Sequence, residues 1–208
     1  HRIFCGGDVF TNRSGQPLQC LTDWKEILEI LTKKGFEFYV IPGNHDKTDS
    51  NSERSYLDIF GEKCVHLYRS AGRVLFDGCV IGFIPYFQDE KWLEEFQRLE
   101  DEIDDNLREE DIQIDYATIL ITHMGFDGVV NNDGSRVSSI IKPSMFKNWT
   151  KVLIGHYHNA SELADNVIYT GSAYQNNYGE NITDKGFTVI FNDGSIKHVQ
   201  SKFPRYIK

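Results

Sequence analysis

Four short groups of residues that can bind metal ions occur along the chain, and each directly follows a run of apolar, β-branched or aromatic residues. Runs of this kind are typical of buried β-strands. Because the carboxyl ends of neighbouring parallel strands open onto one edge of a sheet, strands would bring the carboxylate, amide and imidazole groups to a common place. The four groups are Gly7-Asp8, Gly43-Asn44-His45-Asp46, Thr122-His123 and Gly155-His156-Tyr157-His158.

The chemistry of these side chains narrows the kind of site. Oxygen and imidazole nitrogen ligands without a thiolate suit Mn²⁺, Fe or Zn²⁺. A pair of such ions is a common device for displacement at a phosphate ester. The pattern therefore predicts a metal centre for phosphate-ester hydrolysis.

Each group taken alone has a simpler interpretation. Gly, Asn and Asp are turn residues for backbone reasons, and a lone histidine such as His123 at a strand end is more often structural. His156 and His158 carry a stronger signal, since their spacing places two imidazoles on one side of an extended segment. The combination of four groups, each at the end of a predicted strand, is not explained by turn formation alone.

The ordered set resembles the calcineurin-like metallophosphoesterase superfamily. Its motifs are Asp-x-His, Gly-Asp, Gly-Asn-His-Asp/Glu, His and Gly-His-x-His, and four of these five occur here between Asp8 and His158. The Asp-x-His motif is absent from the sequence. We expect it upstream of His1, because a fold without its first strand would leave an open sheet edge.

The resemblance implies a role for each matched residue. Asp8 would bridge two divalent ions, most simply Mn²⁺, with Fe or Zn²⁺ as alternatives. Asn44, His123 and His156 would complete the second ion's site, whereas His158 would bind the first ion.

The same resemblance assigns the catalytic roles. His45 would contact the phosphate and protonate the leaving oxygen, and Asp46 would orient the His45 imidazole.

Three further stretches resemble SbcD-type DNA-repair exonucleases and phage recombination-endonuclease subunits. They are residues 7–14, residues 76–86 and the segment containing Gly171-Ser172, Tyr178-Gly179-Glu180 and Lys185-Gly186-Phe187. The likeness implies DNA as substrate, Asn12 and Arg13 as substrate-binding residues, and an SbcC-type coiled-coil ATPase as partner. Plain turns are the alternative for Gly171-Ser172 and Lys185-Gly186.

Dimer formation is a further implication of the resemblance. A homodimer would use the apolar face around Leu21, Trp24 and Leu28. Burial of that face against the chain's own sheet is the simpler alternative.

The charge of the chain does not exclude a polyanionic substrate. Residues 89–111 hold twelve acidic and three basic residues, an excess equal to the whole net charge of −9. The basic residues in the loops form no dense cluster, so we expect this domain alone to bind DNA weakly. Those residues are Arg13, Lys47, Arg54, Arg136, Lys142 and Lys147.

Length and pattern predict one domain over residues 1–208, without a capping domain. We expect an α/β fold, a four-layer α/β/β/α sandwich of two mixed β-sheets with the helices outside, as the resemblance also implies. A helix from Leu21 to Lys34, a short helix over residues 52–60, and hairpins around Asp77-Gly78 and Asn192-Asp193-Gly194 are predicted locally.

No apolar run reaches the length of a membrane span. The four cysteines lack a Cys-x-x-Cys pair, which favours a reduced, cytoplasmic setting.

The functions that remain are a DNA exonuclease or endonuclease subunit, a phosphatase or phosphodiesterase for small molecules, and a metal-depleted scaffold that binds a protein.

Overall fold

The computed structural model describes residues 1–61, 65–76, 78–109, 117–129, 136–177, 180 and 184–206, without the side chains of residues 104–109. Its helices are α1 (Leu18–Lys33) and α2 (Asp89–Glu109), with 3₁₀ turns at Tyr56–Ile59 and Pro143–Phe146. The strands are β1 (Arg2–Cys5), β2 (Glu37–Val40), β3 (Val65–Leu67), β4 (Gly72–Phe76), β5 (Cys79–Ile84), β6 (Ala117–His123), β7 (Lys151–Gly155), β8 (Ser161–Ala164), β9 (Val167–Tyr169), β10 (Gly186–Ile190) and β11 (Ile196–Gln200).

The strands form two main sheets and one hairpin. The first sheet has the order β1-β2-β3 and is parallel throughout. The second has the order β4-β5-β6-β7-β9-β8, with parallel central strands and the antiparallel strands β4 and β8 at its edges. Strands β10 and β11 pair with each other as an antiparallel hairpin.

Side chains on alternate sides of the strands build three apolar layers. On β2, Phe38 and Val40 pack with Leu28 of α1, while Tyr39 faces the six-stranded sheet. On β5, Phe83 meets Tyr39 between the two sheets, with their rings stacked and their centroids 6.1 Å apart. This period of two is what a strand buried on both faces requires.

The outer face of the second sheet is covered by α2. Trp92, Phe96, Leu99 and Ile103 are buried there, as the helical spacing predicts. The order of layers is therefore helix, sheet, sheet, helix, and the predicted fold class is confirmed. Among the described residues, only the six-stranded sheet is mixed.

Several local predictions are also confirmed. Helix α1 extends to Lys33, and Gly35 beyond it has a positive φ of 76°. Leu28 of that helix is buried against the chain's own sheet, the simpler of its two interpretations. Both hairpins are present, although residue 77 itself lies outside the described residues.

The short helix predicted over residues 52–60 is wrong in extent. Only one 3₁₀ turn forms, at Tyr56–Ile59, and the Ser55 side chain and Asp58 cap it reciprocally. Short polar side chains that bond the nearby backbone compete with longer helices.

Three of the four cysteines, Cys5, Cys20 and Cys79, are free thiols, while Cys64 lies outside the described residues. Among the helices of the described part of the chain, none is long and apolar enough to cross a membrane.

Candidate metal centre

Strand exits from both sheets bring four of the predicted ligands into contact. Asp8 follows β1, Asn44 follows β2, His123 ends β6 and His156 follows β7. Asn44 Oδ1 lies 3.0 Å from His123 Nε2 and 2.9 Å from His156 Nδ1. Asp8 Oδ2 lies 3.2 Å from His123 Nε2. We call these four residues the acceptor cluster.

The ligand atoms of the acceptor cluster suit a divalent cation. A carboxylate oxygen, an amide oxygen and two imidazole nitrogens converge, and the ligand atoms of Asp8, His123 and His156 lie within 4.8 Å of one another. A cation would satisfy all of these lone pairs at once. Exchanging the amide oxygen and nitrogen of Asn44 is the alternative, in which its NH₂ donates to both imidazoles and its oxygen accepts from Arg13. The oxygen-inward orientation is the one that binds an ion.

His123 is fixed by the main chain. Its Nδ1 lies 2.7 Å from the Gly6 carbonyl oxygen, and its side chain is fully buried. A carbonyl oxygen only accepts, so Nδ1 carries a proton, and in the neutral ring Nε2 presents a lone pair to the acceptor cluster. Such an outer hydrogen bond is usual for a metal-binding histidine.

The backbone of the acceptor cluster is strained. Asp8 and His156 have φ values of 55° and 91°, although neither is glycine. Gly7 has a φ of 94°, and a Cβ there would lie 2.6 Å from His123 Nδ1 and 2.7 Å from the Gly43 nitrogen. Residues held in such conformations cluster at functional sites, since the surrounding structure must enforce them.

The electrostatics of the acceptor cluster favour an ionised Asp8 and a neutral His156. Burial raises the pKa of Asp8, but the neighbouring His123 and the His45 amide outweigh it and lower that pKa to about 2. Burial, together with the nearby His123, lowers the pKa of His156 to about 3. For His123, burial lowers the pKa, but Asp8 raises it above its ordinary value. Both protonation states, of Asp8 and of His156, are those that a cation needs.

Asp46 bonds the main chain of two loops. Its Oδ1 accepts from the Phe10 amide at 3.0 Å and its Oδ2 accepts from the Gly43 amide at 2.8 Å. Within the described residues, no hydrogen bond joins Asp46 to His45. Both carboxylate oxygens tie together the loops after β1 and β2, and the orientation of His45 by Asp46 remains a prediction.

His45 takes its orientation from the Thr11 carbonyl oxygen, which lies 2.6 Å from its Nδ1. The proton is therefore on Nδ1, and Nε2 is the nitrogen available to a substrate. The His45 backbone amide donates to Asp8 Oδ1 at 2.8 Å, which places this half-exposed histidine beside the acceptor cluster.

The predicted substrate-binding residues Asn12 and Arg13 differ in position. The Arg13 guanidinium reaches the Asn44 side chain, so a cation on an exposed residue lies at the acceptor cluster. The Asn12 side chain instead accepts from the Ser14 amide at 3.1 Å and closes its own turn. Substrate binding by either residue remains a prediction.

Lys47 is not available to a substrate, which corrects its place among the loop cations. The side chain is 2% exposed, donates to the Tyr86 carbonyl oxygen at 2.6 Å and lies over the Phe87 ring. It connects the loop after β2 to the loop before α2. The other predicted cations, Arg13, Arg54, Arg136, Lys142 and Lys147, are exposed.

His158 stands apart from the acceptor cluster. Among the described residues it belongs to no close group of three or more potential carboxylate, imidazole or thiolate ligands. Its Nδ1 instead lies 2.7 Å from Glu180 Oε1, a carboxylate that is 1% exposed. Burial raises the pKa of Glu180, but the Asn176 amide, His158 and Lys185 lower it overall.

The residues that the sequence analysis did not assign to the site are Tyr86, Glu180 and Lys185. The Tyr86 ring is stacked near His156, with the centroids 6.3 Å apart. All three occur in the stretches that resemble nucleases, and this resemblance is the sequence signal that could have identified them. Residues 178–179 of that resemblance lie outside the described residues.

Comparison with known proteins agrees with this geometry. Exonuclease subunit 1 of Enterobacteria phage T4 is 27% identical over 184 residues, which are 87% of this chain and 50% of that protein. The chain thus spans about half the length of this curated relative. A family model described as calcineurin-like phosphoesterase matches residues 2–177, a range that contains the whole acceptor cluster, His45 and His158. This chain belongs to the calcineurin-like phosphoesterase family.

Proposed function

We propose that this chain is a divalent-metal-dependent phosphodiesterase that hydrolyses DNA, as a nuclease subunit of the SbcD type in repair or recombination. Membership of its family makes it a hydrolase of phosphate esters. The observation that carries the proposal is the convergence of the acceptor cluster beside His45. DNA as substrate is supported by the name of the T4 relative, which describes an exonuclease subunit.

The acceptor cluster would hold one divalent ion through Asp8, Asn44, His123 and His156. His158 and Asp8 would help to hold a second ion, and Mn²⁺ is our choice for both. Bound ions supply Lewis-acid polarisation of the phosphate and activation of water. The rest of the reaction is assigned to side chains of this chain.

His45 would act as the general acid. Attack by water on phosphorus breaks the ester P–O bond, and the leaving oxygen needs a proton. The doubly protonated ring of His45 would donate that proton from Nε2 and become neutral, while Nδ1 keeps its own proton on the Thr11 carbonyl. Arg13 beside Asn44 would bind non-bridging phosphate oxygens through its planar guanidinium.

The surface supports only weak DNA binding by this domain itself. The buried Lys47 contributes nothing to a DNA surface, and the remaining loop cations are scattered along the sequence. Affinity would come from a second subunit, either an SbcC-type coiled-coil ATPase or another copy of this chain.

The test is degradation of linear DNA with added Mn²⁺. We expect wild-type protein to degrade it and His45→Ala to lose that activity. The matched control is His198→Ala, which removes an exposed histidine on β11 and should keep full activity.

A small aryl phosphodiester distinguishes the alternatives. Hydrolysis of this compound without degradation of DNA would replace the nuclease proposal with a small-molecule esterase. Failure on both substrates, with no Mn²⁺ binding, would favour the scaffold function.

A further inference from the structure

A buried carboxylate lies directly beneath the imidazole of His158. Glu180 is 1% exposed, whereas the His158 side chain is 40% exposed. Their Oε1 and Nδ1 atoms are 2.7 Å apart. The Nδ1 edge of the ring is therefore anchored to a buried group, although the side chain as a whole is partly exposed.

Hydrogen-bond donors surround the Glu180 carboxylate. The Asn177 Nδ2 donates to Oε1 at 2.9 Å, and the Asn176 amide donates to Oε2 at 3.0 Å. Lys185 Nζ lies 3.4 Å from Oε2. Since an ionised carboxylate only accepts, this geometry assigns the proton to His158 Nδ1 and leaves the lone pair on Nε2.

Lys185 holds both partners of this contact. Its ammonium is buried, with 4% of the side chain exposed, and it pairs with the Glu180 carboxylate. The same ammonium donates to the His158 backbone carbonyl and to Asn159 Oδ1. The charge that neutralises Glu180 also fixes the main chain that carries His158.

This arrangement differs from those of His45 and His123, whose Nδ1 atoms are also held by hydrogen bonds. His45 and His123 donate to backbone carbonyl oxygens, whereas His158 donates to a charged side chain. A carboxylate behind an imidazole sets its tautomer and makes it a better ligand. The family match ends at residue 177, so Glu180 and Lys185 lie beyond it.

We propose that Glu180, held by Lys185, is a positioning residue that fixes His158 with its proton on Nδ1 and offers Nε2 to a divalent cation. The cation part rests on the proposed function, in which His158 is a ligand. The positioning part rests on the contacts alone.

The first experiment measures the tautomer in metal-free protein by long-range ¹H–¹⁵N NMR of the histidine side chains. We expect His158 to carry its proton on Nδ1 in the wild type and to become a mixture of tautomers in Glu180→Gln. The matched control is Glu162→Gln, which alters an exposed glutamate on β8 and should leave the His158 signals unchanged. An unchanged His158 in Glu180→Gln would overturn the positioning role.

A second variant covers a failure of Glu180→Gln to fold. Glu180→Leu combined with Lys185→Met replaces the buried ion pair by apolar side chains of similar size, a change that folds often tolerate. The same loss of a fixed tautomer is expected. A fixed Nδ1 proton in the folded double variant would contradict the proposal.

The second experiment titrates Mn²⁺ alone by calorimetry. In Glu180→Gln we expect the Mn²⁺ ion that His158 would hold to bind roughly 10–100-fold less tightly. This is the usual loss of metal affinity when the hydrogen-bond partner of a ligand is removed. Binding at the acceptor cluster should not change. A changed tautomer with an unchanged isotherm would overturn the cation role of His158. Neither readout uses DNA, so a failure of the nuclease proposal would be seen separately.

Discussion

Two parts of the candidate site hold their imidazoles by different means. In the acceptor cluster, His123 is anchored to a main-chain carbonyl, and Asp8 and His156 sit on strained backbone. In the Glu180 network, which we define as His158, Asn176, Asn177, Glu180 and Lys185, the anchor is a buried ion pair of side chains. The first part should therefore be sensitive to added backbone bulk and the second to removed charge.

Strand exits explain the difference. His123 and His156 lie at or just after the ends of β6 and β7, where the sheet itself fixes the main chain. His158 is farther from β7, in the connection to β8, where the Lys185 and Glu180 side chains add to the contacts of its main chain. The predictions below test these two ways of holding an imidazole and the loop contacts beside them, beginning with the largest expected loss of stability.

Removal of the buried cation should have the largest effect. Lys185→Met leaves the Glu180 carboxylate buried without its charged partner, and breaking such a pair costs about 3–5 kcal/mol of unfolding free energy. Chemical denaturation measures this loss. The control is Arg205→Met, which removes the exposed ion pair with Asp184 and should cost less than about 1 kcal/mol. Equal losses in the two variants would remove the distinction between a buried and a surface pair.

Added bulk at Gly7 tests the acceptor cluster. In Gly7→Ala the left-handed conformation costs about 1–2 kcal/mol of unfolding free energy. The new Cβ would also lie 2.7 Å from the Gly43 nitrogen. We therefore expect a total loss of about 3 kcal/mol and loss of Mn²⁺-dependent hydrolysis.

The matched control for Gly7 is Gly35→Ala. Gly35 also has a positive φ, of 76°, but nothing lies within 4 Å of a Cβ there. Its cost should be the strain alone, about 1–2 kcal/mol, with full activity. If Gly7→Ala behaved like Gly35→Ala, the close packing around His123 would not matter to the site.

Asp46→Asn tests the bridge between the two loops. The amide can accept from only one of the Phe10 and Gly43 amides, so we expect a loss of about 2 kcal/mol in stability. The pH profile of hydrolysis should keep its shape, because His45 takes its orientation from Thr11. A shifted profile without a loss of stability would support the predicted role of Asp46 in orienting His45.

The last prediction concerns the pH dependence of stability at Lys47. Burial lowers its pKa from 10.5 to about 8, so between these pH values the unfolded chain binds more protons than the folded chain. The unfolding free energy of the wild type should therefore rise, relative to Lys47→Met, as pH increases from about 8 to 10.5. Denaturation at several pH values measures it, with the exposed Lys34→Met as control. A pH-independent difference would mean that Lys47 is not desolvated.

Much of the fold was predictable from the sequence because its patterns are local. Nearly continuous apolar runs along β5 and β6 indicate strands buried on both faces, helical spacing along α2 indicates one apolar face, and the structure buries all of these. The hairpin turns need particular residues and are equally local. The helix predicted over residues 52–60 is longer than the observed 3₁₀ turn at Tyr56–Ile59, because Ser55 and Asp58 bond the backbone within a few residues of themselves.

The site was predictable to the extent that residues follow strands. The acceptor cluster assembles from four strand exits, as their order indicates. Partners that come from distant segments were not predictable. Asp46 bonds the Phe10 amide 36 residues away, and Lys47 bonds the Tyr86 carbonyl 39 residues away. Neither the spacing of apolar residues nor a short motif indicates which of two buried hydrogen-bond acceptors a donor will contact.

The sequence by itself determined the kind of ligands, the order in which strands deliver them, and the resemblance to a phosphoesterase family, since each depends on residues close together in the chain. The tertiary structure alone decided how each imidazole is held. A hydrogen-bond partner is selected by distances of a few tenths of an ångström, and these are set by the packing of both sheets and the loops between them. For His158, that packing selects Glu180 and Lys185.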